Sequence, residues 1–157
     1  MTEGLANLLQ GPRRTADALQ KVKAKYWAQY SECLRITPGY QTDGGGGGGA
    51  GGAKDGAWAA LADWGAEIDA LEREHEETVN AVKRFLERLA HEYPEYGQRD
   101  AMLLIARYVN QTPWSLVWAA LAAQGYDAKT ERTVHNWHRG ALDRCEALLW
   151  KETANEQ

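Results

Sequence analysis

The sequence predicts an all-α protein: a long helical hairpin, or coiled-coil-like module, joined to a C-terminal three-helix helix-turn-helix domain. Three observations carry this. Apolar residues recur at intervals of three and four from Met102 to Leu149, the period of amphipathic helices rather than strands. A second run, Lys54 to Tyr93, keeps a heptad register. Gly and Pro gather at a few joints between such runs, where they end helices.

The first segment spans residues 1–36. Residues 1–12 are weakly patterned, and Gly11-Pro12 is expected to close them. From Arg13 to Leu34 the residues Leu19, Val22, Tyr26, Tyr30 and Cys33 follow helical spacing, with Lys21, Lys23 and Lys25 on a solvated face. Thr37-Pro38-Gly39 ends this helix. Gly44 to Gly49 are consecutive glycines, followed by Gly51 and Gly52. No Gly-Lys-Ser/Thr follows and no apolar strand precedes, so residues 37–56 read as a flexible linker rather than a phosphate cradle.

Residues 57–93 form the next element. Leu61, Ile68, His75, Val82 and Leu89 lie seven apart, and Trp64, Leu71, Thr78 and Phe85 form a companion row. Such a seam packs at a shallow angle against a neighbour. The neighbour is either the N-terminal helix, returning antiparallel across the linker, or a second copy of the chain. His75 and Thr78 interrupt the rows. Without an H-E-x-x-H or paired Glu-x-x-His pattern they read as a register-setting polar layer, so neither metal nor cofactor is expected. Tyr93-Pro94-Glu95-Tyr96-Gly97 ends the helix.

The last domain is placed at 97–151. Its first helix stacks Leu103, Leu104, Arg107 and Tyr108. The second sets Trp114, Val117, Trp118 and Leu121 on one face, and the third does so with Val134, Trp137, Ala141, Cys145 and Leu148. Trp114, Trp118 and Trp137 are therefore expected in the core. Thr112-Pro113 predicts a start with Thr as N-cap and Pro at the first helical position. Gln124-Gly125-Tyr126-Asp127 is a break, after which Asp127 or Thr130 caps the final helix. Two helices joined through a Gly-containing turn suggest a helix-turn-helix, whose second helix enters the DNA major groove.

Facing away from that core are Arg132, Thr133, His135, Asn136 and Arg139. Arg pairs bidentately with guanine, Asn with adenine, and Thr offers a hydroxyl and a methyl. Arg132, Thr133 and Asn136 are the expected base contacts. Lys129, Thr130 and Arg139, with Gln111 and Ser115 near the preceding helix, are the expected phosphate contacts.

Composition narrows the function classes. The chain has 157 residues, 44% of them hydrophobic, with seven Trp and seven Tyr beside one Phe. No apolar run approaches the ~18 residues of a membrane span, and no signal peptide opens the sequence. Cys33 and Cys145 lie far apart without partners at ligand spacing, which suits a reducing cytoplasm. A net charge of −4 speaks against a general nucleic-acid coat. Residues 98–151, however, hold seven basic against five acidic residues, a balance of +2 that leaves −6 for the rest. Ser31 and Ser115 lack the G-x-S-x-G setting of a nucleophile, and His135 and His138 lack an orienting Asp, so a binder rather than an enzyme is expected.

The runs R-Y-V-N-Q-T-P-W, G-Y-D, T-E-R-T-V and W-H-R-G-A-L resemble the last domain of sigma factors. They are closer still to small phage-encoded transcriptional regulators with a sigma-like C-terminal domain. The likeness covers the whole chain in layout and about its last third in motif. It implies activation of late phage genes in the cytoplasm of a bacterial host, with double-stranded DNA and host RNA polymerase as partners. The heptad module would serve self-association or polymerase contact. One departure is that the stretch between Trp114 and Val134 is a few residues longer than the usual pattern, so the recognition helix starts at Ala128 or at Glu131. Two other readings stand beside this one: a DNA-packaging recognition subunit, and a helical module that binds only protein.

Overall fold

A computed structural model of the chain describes residues 1–35 and 50–155, with side chains of the second stretch from Gly56 onward. All regular structure among these residues is helical: α1 (Glu3–Arg35), α2 (Ala50–Glu92), α3 (Gly97–Leu104), a π-helical turn (Ile105–Val109), α4 (Trp114–Ala123) and α5 (Glu131–Asn155). No described helix is long and apolar enough to cross a membrane. The Gly44–Gly49 run and most of the expected linker lie outside the described residues; α2 begins at Ala50, so the end of that stretch is helix.

The expected break at Gly11-Pro12 is absent, because α1 passes through Pro12. A proline inside a helix removes one backbone bond and crowds the preceding turn, at a cost of about 3 kcal/mol. The compensation is packing. Leu5 and Leu9 are fully buried with Val82, Phe85, Leu86 and Leu89 in one cluster, and Pro12 itself is buried. A Cβ on Gly11 would already touch Thr78 at 3.4 Å, so α1 and α2 lie close there. Each buried Leu contributes roughly 1.5–3 kcal/mol. The first turns are thus core, although their sequence pattern is weak.

The chain divides into two compact units. One joins Met1–Arg14 to the chain from His75 onward. Its core runs continuously from Leu5 and Leu9 through Leu86 and Leu89 to Leu103, Leu104, Val117, Leu121, Val134, Ala141 and Cys145. The helical domain expected at 97–151 is therefore completed by the end of α2 and the start of α1. Gly97 lets α3 begin against α2: an added Cβ would lie 2.5 Å from the Leu89 carbonyl oxygen and 2.6 Å from Ala90 Cα.

The other unit is Thr15–Glu74. Lys23 pairs with Glu72 at 2.8 Å, and Lys25 Nζ lies 5.2 Å from the Trp64 ring centre. The later residue of α1 meets the earlier residue of α2, so the helices run antiparallel within this unit. The heptad rows bury Leu61 and half-bury Trp64, Ile68 and Leu71. Here the neighbour across the seam is α1 of the same chain.

One polar cluster ties α3 to α5. Asp100 is fully buried. Arg99 Nη2 lies 3.0 Å from its Oδ1, and Arg144 donates to Oδ2 through both Nε and Nη2 at 2.6 Å. Burying a carboxylate is tolerable only with such charged donors. Arg99 and Arg144 in turn lie over aromatic rings, Arg99 at 4.5 Å from Trp137 and Arg144 at 5.3 Å from Tyr96. Nothing in the sequence pairs positions 44 residues apart.

Candidate nucleic-acid interface

α5 begins at Glu131, not at Ala128. The Thr130 hydroxyl accepts from the Thr133 N–H at 3.3 Å and lies 3.1 Å from the Thr133 hydroxyl, so Thr130 rather than Asp127 is the cap. Ala128 is buried in the turn, and its carbonyl accepts the Trp118 indole N–H. Gly125 takes φ +88° at the end of α4, as expected for a glycine there.

The preceding joint differs from expectation. α4 starts at Trp114, and Pro113 itself occupies the N-cap place with ψ 147°. Its carbonyl accepts from Leu116 at 2.9 Å and Val117 at 3.0 Å, and no side chain caps the helix. Thr112 is one residue too early. Its carbonyl accepts Arg107 Nη1 at 3.3 Å, which anchors the loop instead. Gln111, just before it, holds a left-handed φ of 53°.

Val134, Ala141, Cys145 and Leu148 form the buried edge of α5, as the spacing predicts. Arg132, Asn136 and Arg139 are exposed on the other side. Positions separated by four and seven fall on one stripe of a helix. The side chains of the three have no hydrogen-bond or ion-pair partner among the described residues. Lys129 and Thr130 sit in the turn immediately before this stripe, both exposed. Thr133 is half-buried and its hydroxyl is shared with the cap. Gln111 and Ser115 are exposed at the start of α4, next to Trp114. Because Trp114 touches His135 of α5, that end of α4 borders the first turns of α5.

Between Lys129 and Arg139 three basic residues face one acid, Glu131, which pairs with His135 at 3.5 Å. The positive end of the α5 dipole adds to them. Asp143 lies one turn beyond Arg139 on the same stripe and bounds the basic region.

A layer of rings supports this surface. The Trp114 ring centre is 4.4 Å from that of His135 and 4.9 Å from that of His138. Arg107 covers Trp114 at 5.0 Å, and Tyr108 Oη lies 3.1 Å from His138 Nε2. Burial, then the neighbouring His135 and Arg107, holds the His138 imidazole below its usual pKa. Trp114 and Trp137 are half-buried. Trp118 corrects the expectation of a core ring: it is 40% exposed and closes the α4–α5 turn through its indole N–H. Its place on the apolar stripe is real, but the stripe there faces the turn rather than the core. The roles of His138, Arg107 and Tyr108 go beyond what the helical spacing predicts. The one available signal was a polar, aromatic triplet, Arg107-Tyr108 with Trp114, inside an otherwise apolar pattern.

Among the described residues no group of His, Cys, Asp and Glu could hold a metal. Comparison with protein-family models, with curated proteins and with solved structures returned no match to this chain.

Proposed function

We propose that the chain is a sequence-specific DNA-binding protein that reads the major groove with the first half of α5, as a transcriptional regulator of the sigma-like phage kind. The observation that carries this is the stripe of Arg132, Asn136 and Arg139, exposed and with no side-chain partner among the described residues, on a helix whose opposite edge is locked into the core. Arg132 and Asn136 supply base-edge chemistry. Lys129, Thr130 and Arg139 supply phosphate contacts, with Gln111 and Ser115 at the adjoining end of α4. The regulatory setting and the RNA polymerase partner rest on the sequence resemblance alone.

Selection from a random duplex library tests it. The expected result is an enriched site. Arg132→Ala and Asn136→Ala each weaken binding to that site by about 1–3 kcal/mol, or about 5–150-fold. Lys129→Ala weakens all duplexes alike and lowers the salt slope by about one. No enriched site, or both α5 variants behaving as wild type, would overturn the reading.

One observation favours a second reading, a helical module that binds protein. The outer face of α4 carries Leu116, 57% exposed, with Ala119, Ala120 and Ala123 and no charge. Such a face adds little to a phosphate interface. If Leu116→Lys leaves DNA binding intact while abolishing a polymerase interaction, both surfaces operate; salt-independent binding of protein alone would leave only the second.

A further inference from the structure

The unit of α1 and α2 within Thr15–Glu74 is thin. Two packed helices bury one side of each and leave the other to water, and here the buried apolar side chains are only Val22, Cys33 and Leu61 among the described residues. Large apolar side chains remain outside: Trp27 is 60% exposed, Leu34 54% and Trp58 51%.

They are not scattered. Lys23, Tyr26 and Trp27 of α1, with Gly65, Ile68 and Asp69 of α2, line an open notch of about 360 Å³. Leu34 lies seven residues after Trp27, and Trp58 seven before Gly65. Seven residues are nearly two turns, so both fall on the notch side of their helices. The apolar face therefore continues along the hairpin. An added Cβ on Gly65 would meet nothing within 4 Å, so α2 presents bare backbone at the notch. Trp27 stands beside it as a protruding ring.

We infer that this face is a self-association surface, on which a second copy of the chain packs its own hairpin to make a four-helix bundle. The face is complementary to itself. A two-fold axis parallel to the helices lays α1 of one copy over α2 of the other, antiparallel and at the same level. Trp27 then enters the notch at the partner's Gly65, and the reciprocal contact forms by symmetry. The same operation brings Lys23 over the partner's Asp69. Lys23 holds Glu72 within its own chain but stays half exposed, and Asp69 has no ion pair among the described residues. The size is adequate. Residues 15–35 span about 31 Å at 1.5 Å per residue, and two helices side by side are about 20 Å across. The resulting footprint of roughly 600 Å² is of the order of the ~800 Å² per partner of a standard interface. The heptad seam is already occupied by α1, so association uses the flank of the hairpin beside that seam, where Ile68 and Gly65 line the notch.

The test is the mass of the full chain in solution, without DNA, over a concentration series by light scattering and sedimentation. The expected species has twice the 17.5 kDa chain mass. Gly65→Leu fills the notch where the monomer has room, so helicity and melting should hold while the dimer weakens about 30-fold or more. Trp27→Ala should do the same. Asp69→Lys, which sets a like charge against the partner's Lys23, should weaken the dimer more than Asp69→Asn does. A wild-type monomer at every concentration overturns the inference, as does a dimer unaffected by Gly65→Leu and Trp27→Ala. Because the readout involves no nucleic acid, either outcome is separate from that of the α5 variants.

Discussion

Asp100→Asn is the sharpest probe of how α5 is held in place. The carboxylate is fully buried and accepts from Arg99 on one oxygen and from Arg144 on the other. Asparagine keeps the size but removes the charge, and it turns an N–H₂ toward one of two guanidinium groups. Charged hydrogen bonds contribute about 1.5–3 kcal/mol each. A plain sum would be too large, because Arg99 and Arg144 keep 15% and 23% side-chain exposure and regain water when released. Losing one member of a buried pair costs about 3–5 kcal/mol, and that partial rehydration puts this case at about 3–4 kcal/mol. For a chain of this length each kcal/mol lowers Tm by about 2–4 °C, so a drop of roughly 10 °C is expected. Circular dichroism melts and urea titrations measure it. A double-mutant cycle with Arg144→Met should return a coupling of about 1.5–3 kcal/mol. A loss below about 1 kcal/mol, or additive single effects, would refute the claim that this carboxylate ties α3 to α5.

Two further predictions concern titration. Burial, followed by the nearby Asp100 charge, pushes the Cys145 thiol from 9.0 up to about 12. In a Cys33→Ser background Cys145 should therefore react with thiol reagents at pH 8 only after unfolding; labelling at the rate of a free thiol in the native state would contradict this. The unfolded chain releases this proton near 9 and the folded chain does not, so between about pH 9 and 12 stability should fall by up to about 1.4 kcal/mol per unit. Cys145→Ala should flatten that fall, as followed by urea titration at each pH. His138, held below its ordinary 6.5 by burial and by His135 and Arg107, runs the other way. The unfolded chain takes up the proton first, so stability is lost as pH drops below 6.5. An NMR titration of the His138 ring should place its midpoint under 6.5, and a midpoint above that value would mean the ring layer around Trp114 is open to water.

What the sequence made legible was mostly what repeats. The buried edge of α5, from Val134 to Leu148, follows from apolar spacing alone, and so does the inward set of Val117 and Leu121. Gly125 ends α4 where a glycine should. The misses share a different cause, namely long-range packing that overrides a local preference. Gly11-Pro12 looks like a stop, yet Leu5 and Leu9 find so much buried surface that the helix continues through it. Thr112 is a good N-cap by type, but its carbonyl holds Arg107 and Pro113 takes the capping place. Trp118 sits on the apolar stripe and still reaches the surface, because the seven-residue turn to Glu131 needs its indole N–H. At the candidate site the exposed positions of Arg132, Asn136 and Arg139 were readable from helical angle. The ring layer beneath them was not, since it joins the π turn, α4 and α5.

The π-helical turn at Ile105–Val109 makes that layer sensitive to length more than to chemistry. Its Asn110 N–H reaches back five residues to Ile105, and the Thr112 N–H six residues to Ala106, both at 2.9 Å. Wider turns of this sort amount to one surplus residue lodged in a helix. Deleting a single codon there would relax the backbone to ordinary pitch and swing Arg107 and Tyr108 about 100° around the axis, away from Trp114 and His138. The chain should thus accept conservative apolar replacements at Ile105, Ala106 and Val109 and almost no shortening of 105–109, a pattern that a scanning library of one-residue deletions would expose as an abrupt gap.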